Sequence, residues 1–136
     1  MLKDIPQLKV ENIGIAVVPR TKQQNDELEL WDIYLVNTSK DTITNVMVVS
    51  EGYGTRNGET VTTSTLRFFF DQVSYSSFVK VEAIQANVFD LTNQYWISFK
   101  LNGELYDRKY VFVKGSIESE HFTHVPLLGK QGVLII

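Results

Sequence analysis

The sequence predicts an all-β fold, an antiparallel sandwich of about seven to eight strands. Three observations predict it. Apolar residues alternate with polar ones along most runs, the repeat of a strand with one face covered. Those runs are rich in valine, isoleucine, threonine and aromatic residues, which suit a pleated, half-buried surface. Two Asn-Gly pairs, Asn57-Gly58 and Asn102-Gly103, stand between such runs and favour the type I′ turn of a two-residue hairpin.

Strands are expected near residues 8–18, 29–37, 43–54, 59–70, 76–84, 94–101 and 104–113, with turn residues between them. No internal repeat or low-complexity stretch interrupts this pattern, and no shift in composition marks a second domain. Residues 1–136 are therefore read as one domain. Its tail, 126–136, ends on Val133, Leu134, Ile135 and Ile136, which gain by leaving water. The tail is expected to dock as a last strand or to add to a partner.

Counting outward from Asn102-Gly103 divides the last hairpin cleanly. Tyr95, Ile97, Phe99, Leu101, Tyr106, Tyr110 and Phe112 fall on a core face, and Trp96, Ser98, Lys100, Leu105, Asp107 and Lys109 on a wet one. Arg108 is the misfit, expected at a rim with its stem packed and its head out. The same counting from Asn57-Gly58 pairs Val49 with Leu66 and Met47 with Phe68, which puts Val46, Val48 and Phe69 on the outer side. A helix capped by Ser64 is the competing reading of residues 64–73, since Leu66, Phe69, Phe70 and Val73 have helical spacing. The threonines at 62, 63 and 65 and three consecutive phenylalanines favour the strand.

The stretch LVNTSKDTITNVMVV, residues 35–49, joins two of these strands. Asn37, Thr38 and Ser39, followed by Ile43, Asn45 and Val46, resemble the strand–turn–strand segment of immunoglobulin-like sandwich modules of the CARDB and clathrin-adaptor appendage type. The resemblance covers roughly residues 29–50 and implies an immunoglobulin-like sandwich without implying a ligand. Asn and Ser side chains are expected to bond nearby backbone and fix a turn between two paired strands.

A net charge of −3 without a dense Lys/Arg run argues against a nucleic-acid partner, which draws its affinity from released counterions. The absence of cysteine excludes disulfides, thiolate catalysis and cysteine zinc sites. The N-terminus MLKDIPQLKVENIG carries charges throughout, and no segment has the ~20 apolar residues of a membrane helix. A cytoplasmic chain without membrane insertion is the expectation.

Catalytic motifs are missing: there is no G-x-S-x-G, H-E-x-x-H or phosphate loop, and EGYGTRNGE reads as a hairpin tip. No enzyme activity, cofactor or small-molecule ligand is expected. Glu118, Glu120, His121 and His124 lie close in sequence, but a solvated connector explains them and no metal is assigned. Asp41, Asp71 and Asp90 are read as turn residues, without the spacing of a calcium loop. What remains is surface. Val46, Val48, Phe69, Trp96, Lys109, Leu134, Ile135 and Ile136 form the candidate interaction surface, with a cation–π contact expected between Lys109 and Trp96. A protein partner or a homo-oligomer is the favoured function. A carbohydrate-binding or cell-surface module, stacking sugars on Trp96, Tyr34 and Tyr53, is the alternative.

Overall fold

Ten strands account for most of the structure, a computed structural model that describes residues 10–21 and 29–136. They are β1 (Ile13–Pro19), β2 (Leu30–Asn37), β3 (Ile43–Arg56), β4 (Glu59–Thr62), β5 (Leu66–Val73), β6 (Ser77–Gln85), β7 (Thr92–Leu101), β8 (Glu104–Phe112), β9 (Thr123–Val125) and β10 (Lys130–Ile135). The first sheet runs β6-β2-β1-β10-β9. In the second, β3 lies between β7-β8 on one edge and both β4 and β5 on the other. Every pairing is antiparallel, so the fold is an all-β sandwich. Residues 8 and 9 of the first expected strand lie outside the described residues. Residues 66–73 are strand, not helix.

The hairpin at Asn102-Gly103 has the register that counting gives, from Leu101↔Glu104 through Ile97↔Arg108 to Tyr95↔Tyr110. Asn102 and Gly103 have φ of 52° and 79°, the positive values a type I′ turn requires. Tyr95, Ile97, Phe99, Tyr110 and Phe112 are buried, and Trp96, Lys100 and Lys109 are exposed. Arg108 is half-buried, as expected of a rim residue: its guanidinium lies 4.4 Å from the Tyr110 ring centroid and donates to the Val10 carbonyl at 3.1 Å.

The hairpin at Asn57-Gly58 corrects the count. Register follows the turn only through β4, from Arg56↔Glu59 to Tyr53↔Thr62. Residues 63–65 then leave the ladder, the Thr63 hydroxyl accepts from the Gly52 amide at 2.7 Å, and β5 resumes one residue displaced. Val48 now faces Phe68 and Val46 faces Phe70. Val46 and Val48, expected on the outer surface, are therefore in the core at 1% and 0% exposure, while Met47 and Val49 point out.

The resemblance segment also acts differently from its reading. β2 and β3 belong to different sheets, so Asn37–Thr42 crosses the sandwich rather than closing a hairpin. Asn37 is fully buried. Its amide donates to the carbonyls of Asp41, Val73 and Ser74 at 2.9, 3.2 and 3.1 Å, and its oxygen accepts from the Ser39 amide and hydroxyl at 3.0 and 2.6 Å. One side chain thus ties the β2–β3 crossing to the β5–β6 turn. Asn45 holds φ of 51°, a left-handed value that Asn tolerates, where the β3–β7 register shifts.

Residues 130–135 lie as β10 between β1 and β9. Gly132 permits this approach, since a Cβ there would sit 2.6 Å from the Val17 carbonyl oxygen. The surface role expected for Leu134 and Ile135 is corrected accordingly. Leu134 packs on a small outer cluster with Ala16, Val18, Val36 and Val125, and Ile135 packs against the main core; Ile136 stays exposed. Pairing satisfies the backbone and removes these apolar side chains from water together.

Two further features hold the sheets. The Tyr110 hydroxyl of β8 donates to the Ile13 carbonyl of β1, and burial pushes that phenol up to about 12, with Arg108 opposing. On β2, Asp32 meets Arg20 at 2.6 Å and Lys80 at 3.0 Å. Burial works to raise the Asp32 carboxyl, but those two cations outweigh it and hold the group below its ordinary range.

Candidate functional site: the outer face of the second sheet

Alternation along β5, β3, β7 and β8 sends every second side chain outward, and register aligns them into rows. One row is Arg67, Val49, Trp96 and Lys109; the next is Phe69, Met47, Ser98 and Asp107. Four strands at about 4.8 Å spacing give the rows a length of about 14 Å. Phe69 is 72% exposed and Trp96 48%, while Leu105 at 74% continues the face along β8. A shallow groove of about 450 Å³ runs between the rows, lined by Met47, Val49, Arg67, Trp96, Ser98 and Asp107.

The Lys109 ammonium stands 5.6 Å from the Trp96 ring centroid, the expected cation–π contact. It restrains the indole in an outward position. Arg67 and Asp107 place opposite charges at the two ends of the groove, on β5 and β8. Ser98 and Asp107 are register partners, but both histidines lie elsewhere, at 121 and 124, so no serine–imidazole pair forms here.

Of the residues expected at this surface, Phe69, Trp96 and Lys109 share the face. Val46 and Val48 have turned inward, and Leu134, Ile135 and Ile136 are in or beside the other sheet. Met47, Val49, Arg67 and Asp107 take the vacated places. Alternation already placed Arg67 and Asp107 on the outer side; for Met47 and Val49 the same signal was read in the wrong phase. Tyr34 lies on the first sheet, edge-on to Phe78 at 5.7 Å, so it shares no platform with Trp96. Glu118, Glu120 and His121 each offer a donor atom within 4.8 Å of one another, all exposed; His124 stands apart from the group.

A second concavity, about 390 Å³, opens between the sheets where β3 and the 63–66 segment face β6. It contains Glu82, whose carboxylate accepts from the Tyr95 hydroxyl at 3.0 Å and from the Ser50 hydroxyl. Burial raises the Glu82 carboxyl, and these two donors only partly oppose the rise. Burial, reinforced by the neighbouring Glu82 charge, pushes the Tyr95 phenol well above its ordinary value. The sequence gives no hint of this pair, because Phe78 and Lys80 point outward and strict alternation would carry Glu82 outward with them.

Comparison of the chain with protein-family models, curated proteins and solved structures finds no match. Among the described residues no helix is long and apolar enough to cross a membrane.

Proposed function

We propose that the chain is a non-catalytic interaction module that holds a protein partner on the outer face of β5-β3-β7-β8. The observation that carries this reading is the gathering of Phe69, Met47, Val49 and Trp96 on one exposed face, with Arg67 and Lys109 beside them. Trp, Phe, Met and Arg are the residue types over-represented in protein interfaces, and Trp and Arg the commonest hot spots. The partner fitted to this face presents an apolar side chain to the groove and charges of both signs to Arg67 and Asp107.

The test has two arms. Light scattering across a concentration series asks whether the partner is a second copy, and panning of a displayed peptide library asks whether it is another chain. A mass that rises with concentration, or enriched peptides, should disappear in Trp96→Ala and Phe69→Ala. A monomer at all concentrations that enriches no peptide overturns the proposal. The carbohydrate alternative rests on the polar groups of Ser98 and Asp107 beside an exposed indole. A glycan array in which binding is lost with Trp96→Ala would select it.

A further inference from the structure

β6 contains one more residue than its partner strand requires. Ile33 pairs with Glu82 and Tyr34 with Lys80, so Val81 is the extra residue of a bulge. Phe78 and Lys80 keep the outward phase; after the bulge Glu82 and Ile84 take the inward one, opposite Ile33 and Trp31. A bulge that turns an acidic side chain inward costs desolvation that an aliphatic residue at 82 would avoid. Bulges of this kind recur where a strand re-aims a functional side chain.

The re-aimed carboxylate enters the inter-sheet cavity, whose volume of about 390 Å³ is in the size range of small-molecule sites. An ionised carboxylate has about four acceptor positions, and Tyr95 and Ser50 fill two. Among the described residues no Lys, Arg or His lines the cavity, while a second carboxylate, Glu51, stands on its wall with its own partner in the Thr65 hydroxyl at 2.7 Å. Leu66, Ile84 and Val88 give the same cavity an apolar side. A metal ion suits it poorly, because the group of three metal-capable donors found among the described residues is at Glu118, Glu120 and His121 instead.

We propose that this cavity binds an alkylammonium group, with Glu82 as its counter-ion and Ser50 and Tyr95 as the residues that position the carboxylate. The ammonium donates to the unfilled acceptor positions, and its alkyl chain lies along the apolar side. The burial that raises Glu82 is then offset by a cation, which a neutral or anionic ligand does not supply. This site is separate from the outer face and stands whether or not that face binds protein.

The experiment is an amide-resolved NMR titration of the full chain at neutral pH with n-butylamine, N-acetyl-lysine amide, 1-butanol and butyrate. Saturable shifts are expected at residues 50–52, 82–85 and 93 for the two amines and not for the alcohol or the acid. Tighter binding of the lysine derivative marks a protein side chain as the source; tighter binding of butylamine marks a free amine. Glu82→Gln, which keeps an acceptor for Tyr95, should weaken the amine by about tenfold or more, the size of a lost charge-assisted hydrogen bond. Ser64→Trp, at an exposed position on the cavity wall, should weaken it without touching Glu82. No saturable shift, equal binding of 1-butanol, or unchanged binding in a folded Glu82→Gln overturns the proposal.

Discussion

The hairpins at Asn57-Gly58 and Asn102-Gly103 are closed by turns of the same kind, with φ near 51° and 78° at the first and 52° and 79° at the second. After the second turn the ladder runs without interruption for nine residue pairs, and every inward side chain follows from the count. After the first, the ladder holds for four pairs, breaks over residues 63–65, and resumes in the other phase. The turn fixes pairing only as far as the hydrogen bonds continue. Beyond a break, the chain is free to take whichever phase buries more, and Val46, Val48, Phe68 and Phe70 against the core form that phase.

The sharpest test of the contrast is substitution of neighbours. Ile97→Ala should cost about 3–4 kcal/mol in urea unfolding because it empties a fully buried site, while Trp96→Ala on the opposite side should cost under about 1 kcal/mol. Equal losses would mean that the 102–103 hairpin does not set the faces. Next in size, Val48→Ala should cost about 2 kcal/mol and Val49→Ala about 0.5 kcal/mol or less. The reverse order would restore the uninterrupted register from 57–58. Smaller again, Gly58→Ala and Gly103→Ala should each cost about 1–2 kcal/mol, since both need left-handed backbone and neither has a contact that a methyl group would disturb.

The smallest effect is one of pH and concerns the third irregular strand, β6. Glu82 binds its proton more tightly folded than unfolded, so its contribution is present below its usual value of 4.5 and is lost as pH rises through the raised one. Asp32 acts oppositely: its contribution is present above its usual 3.8 and is lost as pH falls through the lowered value. Relative to the wild type, Glu82→Gln should therefore gain stability between about pH 4 and pH 7, as thermal melts at the two values can show. A constant difference would mean that burial does not perturb the carboxyl.

These contrasts explain what was legible in the sequence. Strand existence, the all-β sandwich and the faces of β7 and β8 follow from alternation and one uninterrupted turn. Phe69, Trp96 and Lys109 were legible for the same reason, since each keeps its side. The break at 63–65, the shift at Asn45 and the bulge at Val81 were not, because one extra residue in a ladder leaves no local compositional mark, yet it inverts everything after it. That is why Met47 and Val49 replaced Val46 and Val48, and why Glu82 went unnoticed. The crossing at Asn37 was illegible for another reason. Two of its five hydrogen bonds reach residues 73 and 74, and partners that distant are invisible to a local reading.

The place of β10 bears on synthesis. Between β1 and β9 the first sheet has a slot that is filled by residues 130–135, so during translation β1 has β2 beside it and nothing on its other flank until the ribosome has delivered those residues. Through that interval Ile13–Pro19 presents an open template to any neighbouring nascent chain. A polypeptide stopped before residue 130 keeps that template for good and is expected to aggregate, although every residue of β1 to β8 is present.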